Sequence, residues 1–273
     1  MLLLTSFTIP FYNPFMFHSA GLLIHIINVL LVYFLIKKLL YRTRRFEDVS
    51  MQRIAFLTAL LVGIHPFLVE AVAWIAASKI LLYACFYLIA LHCYLNYTAS
   101  FKIKYYLLTL LFFIIPFGGK EQAVTLPVCL LLVDYALSRD LLNKKVWIEK
   151  IPFFSLSIFF GVITMLSQAD TGDGVLSDSK VYPFHQNIVF ASYSLFEYFT
   201  KCLIPIKLSY IYPFPNVIGE PLLARFLIYP FVLIVLAITF WNFLKQPRLH
   251  TCAKWYPMGP STRLWAALFC RYY

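Results

Sequence analysis

Charge is what this chain has least of. Only 13% of its 273 residues are Asp, Glu, Lys or Arg, against about 25% in an ordinary soluble domain, while 62% are apolar and 19% aromatic. A soluble fold of this size has too little interior to hide that much apolar surface, so a soluble globular protein is excluded. A bilayer removes the conflict, because helices there are apolar on their outward faces too. The six cysteines form no CxxC and no Cys/His pair at zinc spacing, and four of them lie in apolar stretches where a thiol behaves as a small hydrophobe. Neither a disulfide, a metal site nor a cofactor is expected. No repeat of about 34 residues is visible and no Gly/Ser linker interrupts the chain, so residues 1–245 read as one membrane domain. The first residues also lack a basic segment before an apolar run, and Pro10 and Pro14 interrupt the next stretch, which is not the pattern of a cleavable leader.

What the chain does have is a series of apolar helical runs. A hydrocarbon core about 30 Å thick needs about 20 helical residues. Ala20–Ile36, Ile80–Tyr97, Ile151–Leu166 and Phe226–Leu244 are the clearest candidates. Ile54–Ile64, Tyr105–Phe117 and Ala123–Leu137 are short alone, but each adjoins a semi-polar segment able to extend the helix or re-enter the membrane. The expectation is an all-α, polytopic transmembrane bundle of about seven membrane helices with interfacial or re-entrant outer segments.

Lys and Arg number 23 against 12 Asp and Glu, a net charge of +11. Such a balance points to nucleic acid in a soluble protein, but no recognition motif accompanies it, and no nucleic-acid partner is expected. The bases fall instead in clusters between apolar runs, where they set orientation and meet anionic lipid headgroups. On an alternating path, Lys37, Lys38, Arg42, Arg44, Arg45 and Arg53 share the cytoplasmic side with Lys102 and Lys104. Arg139, Lys144, Lys145 and Lys150 in the third loop, and the basic residues from Lys245 onward, fall there too. This holds if Asn187–Ile204, carrying Glu197 and Lys201, packs at the outer interface rather than crossing.

Two outer segments concentrate polar chemistry. In HPFLVEAVAWIAASK (65–79), Pro66 suits a helix's first turn, and Glu70, Trp74 and Ser78 at spacings of four predict one shared helical face. In GGKEQAVTLPVCLLLVDY (118–135), paired glycines break one apolar run and Lys120–Glu121 opens the next, predicting a bent or re-entrant turn. A charged pair near the membrane is a functional candidate by default, although Glu121 equally suits a helix N-terminus. His18, His25, Asn28 and His92 on apolar helices point to interhelical hydrogen bonds rather than ligation. Asp134 is expected to meet Arg139 or the inner interface. The acidic stretch 169–179 is expected to be an outer loop without the spacing of a calcium site.

Taken together these two segments resemble the membrane domain of the transmembrane and tetratricopeptide-repeat protein family and its bacterial relatives, which are GT-C-type glycosyltransferases. HSAGLLIHIINVLLVYFLIKKL (18–39) and YPFHQNIVFASYSLFEYFTKCLIPIKLSYIYPFP (182–215) resemble the corresponding family segments, so the likeness spans about Pro10–Leu244. The resemblance implies transfer of a sugar, often mannose, from a polyprenyl-phosphate donor to a protein or glycan acceptor on the outer or lumenal face. The setting would be a bacterial inner membrane or one of endoplasmic-reticulum type. An inverting transfer needs a carboxylate to take the acceptor's proton and cations to steady the departing lipid phosphate. Glu70 and Glu121 are the acids available for catalysis; His65, Lys79 and Lys120 are the partners available for the phosphate.

Departures from the family pattern are specific. Relatives usually begin with one more membrane helix and an outer loop bearing the acidic residue taken as catalytic base, and this chain starts after both. Ser78 stands where relatives commonly carry Arg, and Ile80 where an acidic residue follows. No repeat domain follows the membrane part, and residues 246–273 form an atypical tail whose composition shifts as if the reading frame had changed. The expectation is therefore a truncated, transferase-like membrane domain, inactive alone. The competing classes are a small transporter or flippase, with Lys120 and Glu121 lining its path, and a noncatalytic membrane scaffold.

Overall fold

The computed structural model describes residues 14–43, 47–74, 77–118, 121–141, 143–170, 183–206, 208–209 and 224–245. Every regular element among them is helical. The chain divides into two compact units, Met1–Val181 with Ile204–Ser209, and Tyr182–Leu203 with Tyr210–Tyr273.

Among the described residues, seven α-helices build the first unit: α1 (Pro14–Thr43), α2 (Asp48–Ile64), α3 (Val69–Ala73), α4 (Ser78–Ser100), α5 (Ile103–Ile114), α6 (Leu126–Ala136) and α7 (Lys144–Asp170). Among the described residues, three stretches are long and apolar enough to cross a bilayer, Phe15–Thr43, Ser78–Ser100 and Lys144–Thr164. A fourth joins them if α2 and the bent segment Pro66–Ala73, which turns by 49°, count as one broken span. Ile103–Phe117, Gln122–Ala136 and Ile228–Thr239 are apolar but shorter. These lengths make the protein a helical membrane protein.

Side-chain contacts fix how the helices run. Asn28 of α1 bonds Leu81 O of α4 at 2.9 Å, His92 lies 3.0 Å from Leu31 O, and Arg42 bonds Leu95 O at 2.8 Å. Rising numbers on α1 meet rising numbers on α4, so the two are parallel. By the same rule α4 and α6 are parallel, with Tyr87 near Thr125 and Tyr94 bonded to Asp134. Antiparallel pairs are α4 with α5, where Phe86 stacks on Phe112 and Tyr97 meets Tyr106, and α6 with α7, where Lys150 meets Asp134. One end of the unit thus gathers the C-termini of α1, α4 and α6 with the N-termini of α2, α5 and α7. Lys37, Lys38, Arg42, Arg53, Lys102, Lys104, Lys144 and Lys145 all lie at or near this lysine-rich end. The opposite, motif end carries the two interrupted segments.

Between α4, α5, α6 and α7 sits the apolar core of Ala90, Leu91, Tyr94, Phe113, Ala123, Leu126, Leu130 and Phe153. The outward residues of α1, among them Leu23, Leu30 and Phe34, are exposed, as lipid-facing positions should be. Interhelical polar contacts occur at three of the four positions predicted, His25, Asn28 and His92: His25 Nε2 is 3.0 Å from Gly63 O, beside the Asn28 and His92 bonds, whereas His18 is exposed. Contacts of this kind contribute about 0.6 kcal/mol each in a membrane.

The second unit contains α8 (Phe184–Leu203), a 3-10 turn at Ala224–Leu227 and α9 (Ile228–Lys245). The buried face of α8 presents Phe190 and Tyr193 to Phe226 and Tyr229, with ring centroids 5.0–6.4 Å apart. Glu197 and Lys201 pair along the helix at 3.1 Å. The acidic stretch 171–179 and the tail 246–273 lie outside the described residues.

Candidate functional site

At the motif end, α2 stops where the sequence says it must. His65 precedes Pro66, which disfavours a helical conformation for the residue before it, and His65 is extended at φ −66°, ψ 124°. Its Nδ1 then accepts from the Phe67 N–H at 3.2 Å, capping the 3-10 turn Pro66–Leu68. Helix α3 lasts only five residues and ends at Trp74, extended at ψ 117°. Glu70, Trp74 and Ser78 therefore do not share one helical face, as their spacing predicted. A single turn gains too few hydrogen bonds to propagate, and Ser78 belongs to a new helix, α4, entered by a turn that closes through Ala77 N–H to Trp74 O at 3.0 Å. Glu70 and Lys79 are exposed and enter no ion pair among the described residues. Gly21 of α1 comes close here: a Cβ on it would lie 3.4 Å from Val72 O.

The second motif is broken as the paired glycines predicted. Helix α5 gives way to 3-10 turns at Ile115–Gly118 and Glu121–Thr125 before α6 begins with Pro127 in its first turn. Thr125 Oγ1 closes the segment on Gln122 O at 3.0 Å, and Ser157 of α7 bonds Val124 O at 3.1 Å. Lys120 and the Glu121 side chain lie outside the described residues. Of the five residues singled out by sequence, three thus fall on the 65–79 segment and two on this one, both segments at the motif end.

A denser polar cluster lies at the lysine-rich end. Asp134 and Lys150 are both 0% exposed, and Lys150 Nζ is 2.7 Å from Asp134 Oδ2. Arg139 Nη1 lies 3.0 Å from Asp134 Oδ1, while its Nη2 lies 3.0 Å from Glu149 Oε2. The Tyr94 hydroxyl donates to the Asp134 carboxylate at 2.7 Å and accepts from Arg139 at 3.0 Å and from Lys150. Two acids and two bases cancel, which is the condition for holding charge away from water. Burial works against the Arg139 charge, but Asp134, Tyr94 and Glu149 outweigh it, and the guanidinium's pKa stands above its ordinary value.

The local backbone builds this cluster. After α6 ends, Ser138 takes a left-handed conformation, φ 60°, so that its N–H returns to Tyr135 O at 3.1 Å and the Arg139 N–H to Asp134 O at 3.0 Å. This is the Schellman arrangement, which folds the chain back over its own last turn and sets Arg139 beside Asp134. At the end of α4, Phe101 is also left-handed, φ 50°, and its ring lies 5.8 Å from the Arg139 guanidinium. Tyr106 donates to Glu149 O at 2.9 Å, tying α5 to α7.

The Asp134–Arg139 contact is legible in the sequence; the rest is not. Lys150, which its position in sequence groups with the loop bases, lies inside α7 and is buried against Asp134. The signal is Asp134 itself, an acid in an apolar helix that needs more than one donor once desolvated. Among the described residues, no group of three His, Cys, Asp or Glu could hold a metal ion. No family model, no curated protein and no solved structure matches this chain.

Proposed function

We propose that the chain is a GT-C-type membrane domain that handles a polyprenyl-phosphate-linked sugar, with about seven membrane segments and its basic loops cytoplasmic. The observation that carries the reading is the pair of helix breaks at the motif end, 65–77 and 115–125; in sequence the first carries His65 and Glu70 and leads into Lys79 at the start of α4, and the second carries Lys120 and Glu121. Irregular backbone at membrane depth is tolerated where it lines a polar cavity or is buried in protein, so two such breaks at one end suit a site open to the outer surface. In this reading Lys79 and Lys120 hold the lipid phosphate, His65 assists them, and Glu70 or Glu121 orients or deprotonates the acceptor.

Glu70 and Lys79 are exposed and enter no ion pair among the described residues, which supports availability for a ligand over a structural role. The test uses membranes containing the full chain and a radiolabelled polyprenyl-phosphate mannose. Saturable retention of the label by the wild type and its loss in Lys120→Ala and Lys79→Ala is the expected result. Label retention that survives both substitutions, or a wild type with none, overturns the reading; solute flux sensitive to Lys120→Ala would instead identify a transporter.

A further inference from the structure

Both acids of the buried cluster are already balanced by Arg139 and Lys150. Four other bases at the same end are not drawn into it. Lys102, Lys104, Lys144 and Lys145 are exposed and enter no ion pair among the described residues. They flank the first turns of α5 and α7, whose starts lie together: Tyr106 of α5 bonds Glu149 O of α7 at 2.9 Å. Arg139, in the connection leading into α7, packs its guanidinium 5.8 Å from the ring of Phe101, which precedes α5.

Large aromatic groups interleave with these lysines in the open. Phe101 is 64% exposed and Trp147 is 48% exposed, its indole N–H bonded to Leu141 O at 2.8 Å so that the ring is held in place. An aromatic ring beside an uncompensated ammonium, at the end of an apolar helix, suits the boundary between headgroups and acyl chains. Two helix N-termini add partial positive charge at the same place.

We propose that the starts of α5 and α7 form a platform that binds anionic phospholipid headgroups. Lys102, Lys104, Lys144 and Lys145 meet the phosphate oxygens, and Phe101 and Trp147 anchor beside the glycerol and upper acyl chains. Four ammonium groups without acidic partners among the described residues favour a headgroup of net negative charge; a zwitterionic one brings its own cation and gains less. A nucleic acid or acidic protein would match the lysines but would leave the aromatic rings and the lipid-facing Ile148 and Ile151 in water. The platform rests on the membrane reading but not on sugar transfer.

The experiment is native mass spectrometry of the full chain released from micelles containing equal phosphatidylglycerol and phosphatidylcholine. The wild type is expected to retain phosphatidylglycerol in preference, and less so as salt is raised. Lys102→Gln/Lys104→Gln and Lys144→Gln/Lys145→Gln should each lower that preference about 25-fold, given about fivefold per lysine near a charged surface. The control pair Lys37→Gln/Arg53→Gln, at the same end but on α1 and α2, should change it less than about twofold. Should either double variant fail to fold, Lys104→Gln and Lys145→Gln alone take its place, with about fivefold expected for each. Equal loss in the control pair would mean diffuse attraction and overturn the platform, as would no loss in any variant. A wild type that retains both lipids equally overturns the platform alone. One that stays soluble without detergent and retains neither overturns the membrane reading itself.

Discussion

At the lysine-rich end of the first unit, Asp134 and Lys150 are fully buried and held by each other, by Arg139 and by Tyr94. At the motif end Glu70 and Lys79 are exposed and enter no ion pair among the described residues. The same residue types, a carboxylate and an ammonium, are thus used in opposite ways within one bundle. Burial with full pairing spends a charge on holding helices in register. Exposure on broken helices leaves a charge free to meet something else. A charged pair near a membrane is therefore informative about function only after its partners are known.

The contrast can be broken most severely at Asp134. Asp134→Ala leaves Lys150 buried without its carboxylate and should cost about 3–5 kcal/mol in unfolding experiments in detergent. Asp134→Leu combined with Lys150→Met should recover much of that loss, because replacing a buried pair by apolar groups of similar volume is often neutral. Glu70→Ala should change stability by less than about 0.5 kcal/mol; a cost as large as at Asp134 would erase the difference between the ends.

Smaller effects sharpen the comparison. Tyr94→Phe removes one hydroxyl that donates once and accepts twice, and should cost about 1–3 kcal/mol with the fold retained, read by melting temperature. Ser138→Gly relieves a left-handed backbone and should stabilise by about 1 kcal/mol, while Ser138→Val, strained at the same φ, should lower the melting temperature. The smallest effect concerns alkali. Because the Arg139 pKa is raised on folding, its contribution is fully present below the unfolded value and is lost only as pH climbs toward the folded one. Between about pH 7 and about pH 10, Arg139 should therefore add no slope to stability, which denaturant midpoints across that range will show.

How far the sequence reaches depends on which signals are local. The cores of α1, α4 and α7 are legible as apolar runs bounded by bases, and the breaks at His65–Pro66 and after Ile114, where Pro116 and Gly118 follow, are legible because Pro and Gly act on their immediate neighbours. The spacing of Glu70, Trp74 and Ser78 misleads: a period of four is compatible with a helix but does not supply the hydrogen bonds that keep one going past Ala73. Lys150 misleads for another reason. Whether a lysine near a helix start faces water or protein depends on the helix beside it, and Asp134 and Tyr94 reach it only through tertiary packing, across 56 residues in the case of Tyr94. At the motif end both segments can be singled out from sequence.

The Schellman turn after α6 also bears on the order in which the protein is made. Asp134 and Arg139 are five residues apart, so they leave the ribosome almost together and the local turn can pair them at once. Lys150 and the rest of α7 emerge later. If α6 inserts as proposed, its acid would do so already carrying a counter-ion, and the lysine of α7 would close the network when its helix arrives. A chain with Ser138 replaced by a residue hostile to that turn would expose an unpaired carboxylate during insertion, before any finished structure exists to be destabilised.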